Sequence, residues 1–326
     1  MHASRRHFVL GSLGSAALLA APRVFAAGYP ERPVTFICPW PAGGTADVTM
    51  RALCNAASRE LGQPIVVDNK PGVSGMLGLQ QMARAKPDGY TIGQVPISVT
   101  RFSQVGTVKL DPLKELTYLA RTSGQTFGIA VRADGPYKTL KDLVAAAKAS
   151  PGKVNYGSAG VGGATHVGME EFALAAGVQF NHIPYKGGAP ALNDLLGGQL
   201  DALADSSSWA PHVVAGKLRL LATWGEKRTK DFPDVPTLRE QGYDVVVDAP
   251  NGVGAPKGLD PAIEKRLRDA FKAAAASKEF LDACDKIDAP PLYLDGPEYL
   301  KFVEATYKKE TVLIDKLKLK ELMAKG

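Results

Sequence analysis

Two glycine-rich turns, each set between an apolar run and the start of a helical pattern, constrain this chain more than any other feature. The first is Pro39-Trp40-Pro41-Ala42-Gly43-Gly44-Thr45-Ala46-Asp47, which follows the apolar residues 34–38 and leads into a helix beginning near Ala46. The second is Gly157-Ser158-Ala159-Gly160-Val161-Gly162-Gly163, between residues 154–156 and a helical pattern over 165–176. Glycine carries no Cβ, so the backbone can turn tightly and bring its N–H groups close to a bound group, with the positive end of a helix dipole behind them. Strand, glycine turn and helix N-terminus in that order make a ready anion site. Two such devices more than a hundred residues apart predict two similar domains facing one another.

The rest of the chain supports alternation of strands and helices. After the first helix, Gly62 supplies a stop and Pro64 prevents continuation, and residues 65–68 read as a second strand. A further glycine turn at 71–75 opens a helix over 76–84, and 90–95 reads as a third strand. Strands are also predicted over 127–131, 154–156, 199–204 and 218–223, and helices over 139–149, 165–176 and from the turn at 234–238. This pattern predicts an α/β fold built from parallel βαβ units. Asp260 is a good N-cap with Pro261 behind it, and Ile263, Leu267, Ala270, Phe271, Ala274 and Leu281 mark one face of a long helix. Pro297 opens a final helix whose apolar positions are Tyr299, Phe302, Val303, Thr306, Val312 and Leu317. These helices need a sheet to cover, and the first domain is the natural host.

The N-terminus reads as a targeting segment. Ser4-Arg5-Arg6-His7-Phe8-Val9-Leu10, an Ala/Leu/Gly-rich stretch and the small-residue pattern Val24-Phe25-Ala26 make residues 1–26 an export signal cleaved near Ala26. The paired arginines resemble a twin-arginine signal, with an ordinary Sec signal as the alternative. Removing this segment deletes Arg5, Arg6 and Arg23 and no acid, so the formal charge of +6 falls by three. Basic and acidic residues are mixed in the C-terminal segment, which excludes a nucleic-acid patch there. Three cysteines are an odd number for an exported chain and indicate no disulfide framework, and Cys38 and Cys54 fall on apolar faces. His166, His182 and His212 show no ligand-like spacing, so neither a metal nor a cofactor is expected.

Several short motifs recur in a recognisable order: Tyr29-Pro30-Glu31-Arg32-Pro33, Pro41-Ala42-Gly43-Gly44-Thr45-Ala46-Asp47, Leu61-Gly62-Gln63-Pro64-Ile65-Val66-Val67, Pro87-Asp88-Gly89-Tyr90-Thr91, the glycine turn ending in His166, Pro184-Tyr185-Lys186-Gly187-Gly188-Ala189-Pro190-Ala191-Leu192, and Phe232-Pro233-Asp234-Val235-Pro236-Thr237-Leu238. Through them, residues 29–318 resemble the periplasmic solute receptors of tripartite tricarboxylate transporters, often called Bug proteins. The resemblance implies two doubly wound α/β domains of the Venus-flytrap type, joined by a two-crossover hinge. On this chain they correspond to 27–126 plus 249–326 and to 127–248. It also implies a periplasmic, monomeric protein that is not an enzyme, closes on a small carboxylate and presents it to membrane permease subunits. Backbone N–H groups and waters would hold the carboxylate. Carried over residue by residue, the first loop supplies Trp40, Ala42, Gly43, Gly44, Thr45, Ala46 and Asp47, and the facing loop Ser158, Gly160, Gly162, Gly163, Thr165 and His166. Ser98 and residues 205–209, led by Asp205, would complete the rim.

Some residues admit two readings. Gly163 stands where many such receptors carry Ser, and Thr165 offers a nearby hydroxyl instead. An ionised Asp205 repels an anionic solute unless it caps the next helix or meets an amine. Trp40 and Trp209 can stack on an aromatic ring or pack their own loops, Asp47 can complement its own helix N-terminus, and His166 can fix the second loop by hydrogen bonds. Two rival functions share these residues: an extracytoplasmic sensor signalling to a membrane kinase, and a hydrolase using Ser158 and His166. Against the hydrolase, the turn lacks the G-x-S-x-G order and shows no acid paired with His166. It also fails G-x-G-x-x-G, because position 165 is Thr.

Overall fold

The computed structural model describes residues 28–247 and 249–324, so the export signal expected over 1–26 lies outside the described residues. From the N-terminal side the chain forms β1 (Val34–Cys38), α1 (Thr45–Leu61), β2 (Ile65–Asn69), α2 (Met76–Ala83), β3 (Thr91–Gln94), α3 (Val99–Val105) and β4 (Leu116–Gln125). It continues through β5 (Phe127–Arg132), α4 (Leu140–Ala149), β6 (Asn155–Ser158), α5 (Ala164–Ala176), β7 (Asn181–Pro184), α6 (Gly188–Leu196), β8 (Ala202–Ser206), α7 (Ala210–Val214) and β9 (Leu218–Thr223). The last part comprises β10 (Ala249–Pro256), α8 (Pro261–Ala275), α9 (Lys278–Asp285), β11 (Pro291–Asp295), α10 (Gly296–Lys316) and α11 (Leu319–Ala324). Two mixed sheets result, ordered β11-β4-β10-β3-β1-β2 and β7-β6-β8-β5-β9. The chain passes from the first sheet to the second between Gln125 and Phe127, and returns between Thr223 and Ala249.

The helices form where the chain caps and buries them. Gly44 enters α1 in extended conformation, and Gly62 closes it at φ 77°, a left-handed turn that favours glycine. The buried stripe Met50, Leu53, Cys54, Ala57 and Leu61 of α1 shares a core with Ile263, Leu267, Ala270, Phe271 and Ala274 of α8. Burying a side chain such as Phe271 contributes roughly 1.5–3 kcal/mol. Asp260 accepts from the Ala262 N–H at 2.8 Å and so caps α8. Cys38, Cys54 and Cys284 are free and buried, and burial pushes the Cys38 and Cys284 thiols up to about 12. A thiol-labelling reagent should therefore leave all three unmodified over minutes in buffer and modify them in denaturant; labelling in buffer would mean that these helix faces open.

Parallel pairing, expected from the βαβ alternation, holds for β1 with β2 and β3 and for β6 with β7 and β8. The strands beside the crossovers are antiparallel: β10 pairs with both β3 and β4, and β5 with both β8 and β9. Strand β10 carries two prolines and two glycines, which read as breakers, yet all eight of its residues are buried in the middle of its sheet. Its prolines sit near the ends, its register shifts twice, and Gly252 lets the Tyr299 ring lie against the backbone. The helix expected from 234–238 is a single turn, because Thr237 bridges to Thr223 and Gly242 turns the chain at φ 92°. The strand expected over 199–204 starts only at Ala202. The long helix after Asp260 breaks before Ser277, which caps α9, and leaves Leu281 exposed; Val312 is likewise exposed, and Leu317 lies beyond the end of α10. Among the described residues no helix is long and apolar enough to cross a membrane.

Candidate functional site

Where the two sheets meet, a cavity of about 60 Å³ is lined from both sides. One wall takes Trp40, Gly44, Thr45 and Ala46 from the first glycine turn, with Gln94 and Ser98 from the chain around the end of β3. The other takes Ala159, Gly163, Ala164 and Thr165 from the second turn, with Gly188 and Asp205. A water needs roughly 10–15 Å³, and an apolar cavity of about 150 Å³ takes benzene. This volume holds a few waters and is smaller than that benzene-sized cavity. A wider groove of about 1250 Å³ runs alongside, with charges of both signs and the Lys230–Asp285 ion pair in its walls.

Helices α1 and α5 both start on the cavity, and neither has a side-chain cap, since Gly44 and Gly163 occupy the cap positions. The first N–H groups of a helix have no partner within it. Those of Thr45 and Ala46 on one side, and of Ala164 and Thr165 on the other, therefore belong to residues in the cavity wall. Among the described residues lining it, Asp205 has the one titratable side chain, and no Lys or Arg appears. The wall also contains buried polar atoms without a partner among the described residues: Trp40 Nε1, Thr45 Oγ1 and Gln94 Oε1.

The residues behind the wall hold the turns in shape. Gly43, at φ 83°, donates its N–H to Asp47 Oδ2 at 3.0 Å. Asp47 also receives Arg51 Nε at 3.0 Å and Asn69 Nδ2 at 2.8 Å, and Asn69 Nδ2 reaches the Trp40 carbonyl at 2.8 Å as well. In the second turn, the Gly162 N–H donates to His166 Nδ1 at 3.0 Å, and the His166 ring stacks on His182 with centroids 3.9 Å apart. Burial pushes His166 down to about 3 and His182 to about 4, so both are neutral at pH 7. The first half of the molecule docks on this turn through Arg101 Nη1 to the Gly162 carbonyl at 2.8 Å and Ser74 Oγ to the Val161 carbonyl at 2.7 Å. Gly160 and Gly162 permit that docking: a Cβ would meet Ser74 Oγ at Gly160 and Met323 at Gly162.

Of the site residues carried over from the resemblance, Trp40, Gly44, Thr45, Ala46, Ser98, Gly163, Thr165 and Asp205 line the cavity. Ala42, Gly43, Asp47, Ser158, Gly160, Gly162 and His166 do not. Ser158 pairs with His182, at 2.7 Å, in place of His166, which is engaged with Gly162. Trp209 is no rim residue: it is fully buried, packs on Phe232 at 5.4 Å and donates to the Asp205 carbonyl at 3.3 Å. Asp205 accepts from the Ser208 hydroxyl and the Ser206 N–H, bracing the turn before α7, and burial pushes its carboxyl up to about 6. Sequence reasoning missed Gln94, Gln125 and Gly188 in the wall. Gln94 had a signal, since it ends a strand at the carboxyl edge, where ligands of open α/β sheets bind.

Residues 49–319 match the family model described as the tripartite tricarboxylate transporter family receptor. The chain belongs to this family. It is 44% identical over 323 residues to the UPF0065 protein in the gbd 5′ region of Cupriavidus necator, covering 97% of this chain and 98% of that one. The structure of the periplasmic binding protein BugD is 31% identical with a TM-score of 0.85, covering 89% of this chain and 99% of BugD. An R. palustris protein with adipate is 27% identical with a TM-score of 0.84, over 89% and 98% of the two chains. MatC of Rhodopseudomonas palustris with bound malate is 25% identical with a TM-score of 0.81, over 88% and 100%. The protein is thus a periplasmic-type solute receptor of two α/β halves and not an enzyme. Among its described residues no cluster of His, Cys, Asp and Glu could hold a metal ion.

Proposed function

We propose that this receptor captures a small carboxylate between its halves, 27–126 plus 249–326 and 127–248, and delivers it to the membrane subunits of a tripartite tricarboxylate-type transporter. In this reading residues 1–26 direct export and are removed near Ala26, and the mature protein works as a monomer. The observation that carries the proposal is the convergence of two uncapped helix N-termini on one cavity without a cationic side chain. Each helix end contributes up to about 2 kcal/mol to a partly buried anion, against the roughly 8 kcal/mol of micromolar binding. Direct hydrogen bonds and exclusion of water on closure must supply the rest, which requires both halves. The adipate and malate seen with two relatives support a small organic acid as the solute.

A thermal-shift screen against carboxylates, amino acids and amines, followed by calorimetry, tests this. A ligand at 100 times its dissociation constant adds about 2.7 kcal/mol of stability, so one or more carboxylates should raise the melting temperature and bind one to one. Binding of amines alone, or of no carboxylate across the panel, overturns the proposal.

A further inference from the structure

Gln94 lines the cavity with 1% exposure, and its side-chain amide is engaged by the residues around it. Gln94 Nε2 donates to Asn251 Oδ1 at 2.8 Å. The same Asn251 oxygen receives Gln125 Nε2 at 2.9 Å, while Asn251 Nδ2 donates to Ser123 Oγ at 3.1 Å. With Asn251 Nδ2 donating to Ser123 Oγ, turning the Gln94 amide alone would set its oxygen against the Asn251 oxygen, acceptor against acceptor, so in this arrangement Gln94 Oε1 is the free end. That oxygen is buried without a partner among the described residues. A buried acceptor left unmatched is costly, and a site built around one discriminates against ligands that cannot match it. The facing wall adds a second acceptor, the Asp205 carboxylate. The helix ends offer donors to a carboxylate, whereas these two side chains offer acceptors that a bare carboxylate cannot satisfy.

We propose that the solute carries, besides its carboxylate, a hydrogen-bond donor, a hydroxyl or an ammonium group, which Gln94 Oε1 receives. The inference rests on the carboxylate-receptor reading above and makes Gln94 a specificity-determining residue. A saturated acid of the same length with no such substituent fills the cavity but leaves Gln94 Oε1 unmatched.

Calorimetry on matched sets tests it: succinate, malate and aspartate; butyrate with its hydroxy and amino derivatives; adipate with its hydroxy and amino derivatives. In the wild-type protein the tightest ligand should be a hydroxy or amino acid that binds at least about tenfold tighter than its unsubstituted parent. Gln94→Leu should reduce that preference to within about threefold. Preference for the hydroxy member assigns the donor as a hydroxyl, and preference for the amino member as an ammonium. If the unsubstituted parents bind as tightly as their derivatives, or if Gln94→Leu folds and keeps the preference, the inference fails while the carboxylate reading stands. If no acid of any set binds, the inference fails, and the carboxylate panel above decides the carboxylate reading. The wild-type comparison holds even if the variant does not fold.

Discussion

Arg101→Met should cost the receptor about 3–5 kcal/mol of stability, the largest loss expected from a single substitution outside its hydrophobic core. The Arg101 side chain, 5% exposed, makes a two-pronged bond to Glu310: Nε to Oε2 at 2.7 Å and Nη2 to Oε1 at 2.6 Å. Methionine replaces the apolar stem of the arginine and not its guanidinium, so the Glu310 carboxylate, 10% exposed, would stay in the protein without its Arg101 partner. Removing both charges is a different experiment. An intact buried pair roughly breaks even against apolar side chains of similar volume, because its attraction is offset by the water both ions give up. Arg101→Met with Glu310→Met should therefore recover most of the loss in a urea titration. If the double variant is as unstable as the single one, the pair contributes by packing and not by charge.

The same arginine reaches across the molecule to the Gly162 carbonyl, and its loss also removes a bond that holds the second glycine turn against the first half. Both Met variants should accordingly bind solute more weakly than their stability alone would predict. The double variant separates the two effects, since its stability is restored while the closing bond is still missing.

How far the sequence reveals this molecule depends on the kind of interaction. Elements whose signals are local are legible: the run 34–38, the stops at Gly62 and Pro64, and the Asp260-Pro261 helix start correspond to β1, the end of α1 and α8. Both glycine turns are legible as turns, because strand, glycine and helix follow one another within a few residues. Strand β10 is not, since its burial comes from the long-range neighbours β3 and β4, and its Pro and Gly content argues against a central strand. The site divides in the same way. Gly44, Thr45, Ala46, Gly163 and Thr165 lie in the wall because the turns put them there. The roles of Ser158 and His166 depend on His182, which arrives from β7, and Gln94 depends on Asn251, 157 residues away. No spacing rule within a single segment reports such partners.

Asp205→Asn should stabilise the protein without ligand by about 2–3 kcal/mol at pH 8 and by nearly nothing at pH 4. The carboxyl is 2% exposed, and burial raises it from 3.8 to about 6, more than the Ser208 hydroxyl and Ser206 N–H can offset. The unfolded chain ionises this group near 3.8 and the folded chain near 6, so between those values the folded state holds the extra proton. Acidification through that window therefore favours folding at this position, and above pH 6 the folded protein carries the full cost of a buried charge. The asparagine side chain keeps an oxygen that can accept from Ser208 and carries no charge, which removes the cost. Melts of both proteins at pH 8, 6 and 4 should show a gap that narrows below pH 6. A gap independent of pH, or a less stable variant at pH 8, would mean that its partners stabilise the ionised form. The cost sits in the wall of the cavity, which has no Lys or Arg in its lining, so a carboxylate solute bound there as proposed would meet it. For a dianion the variant should bind more tightly than the wild type at pH 8 and equally at pH 5. For an amine-bearing acid the order at pH 8 should reverse, because the neutral amide of the Asp205→Asn variant no longer offers the ammonium group a charge.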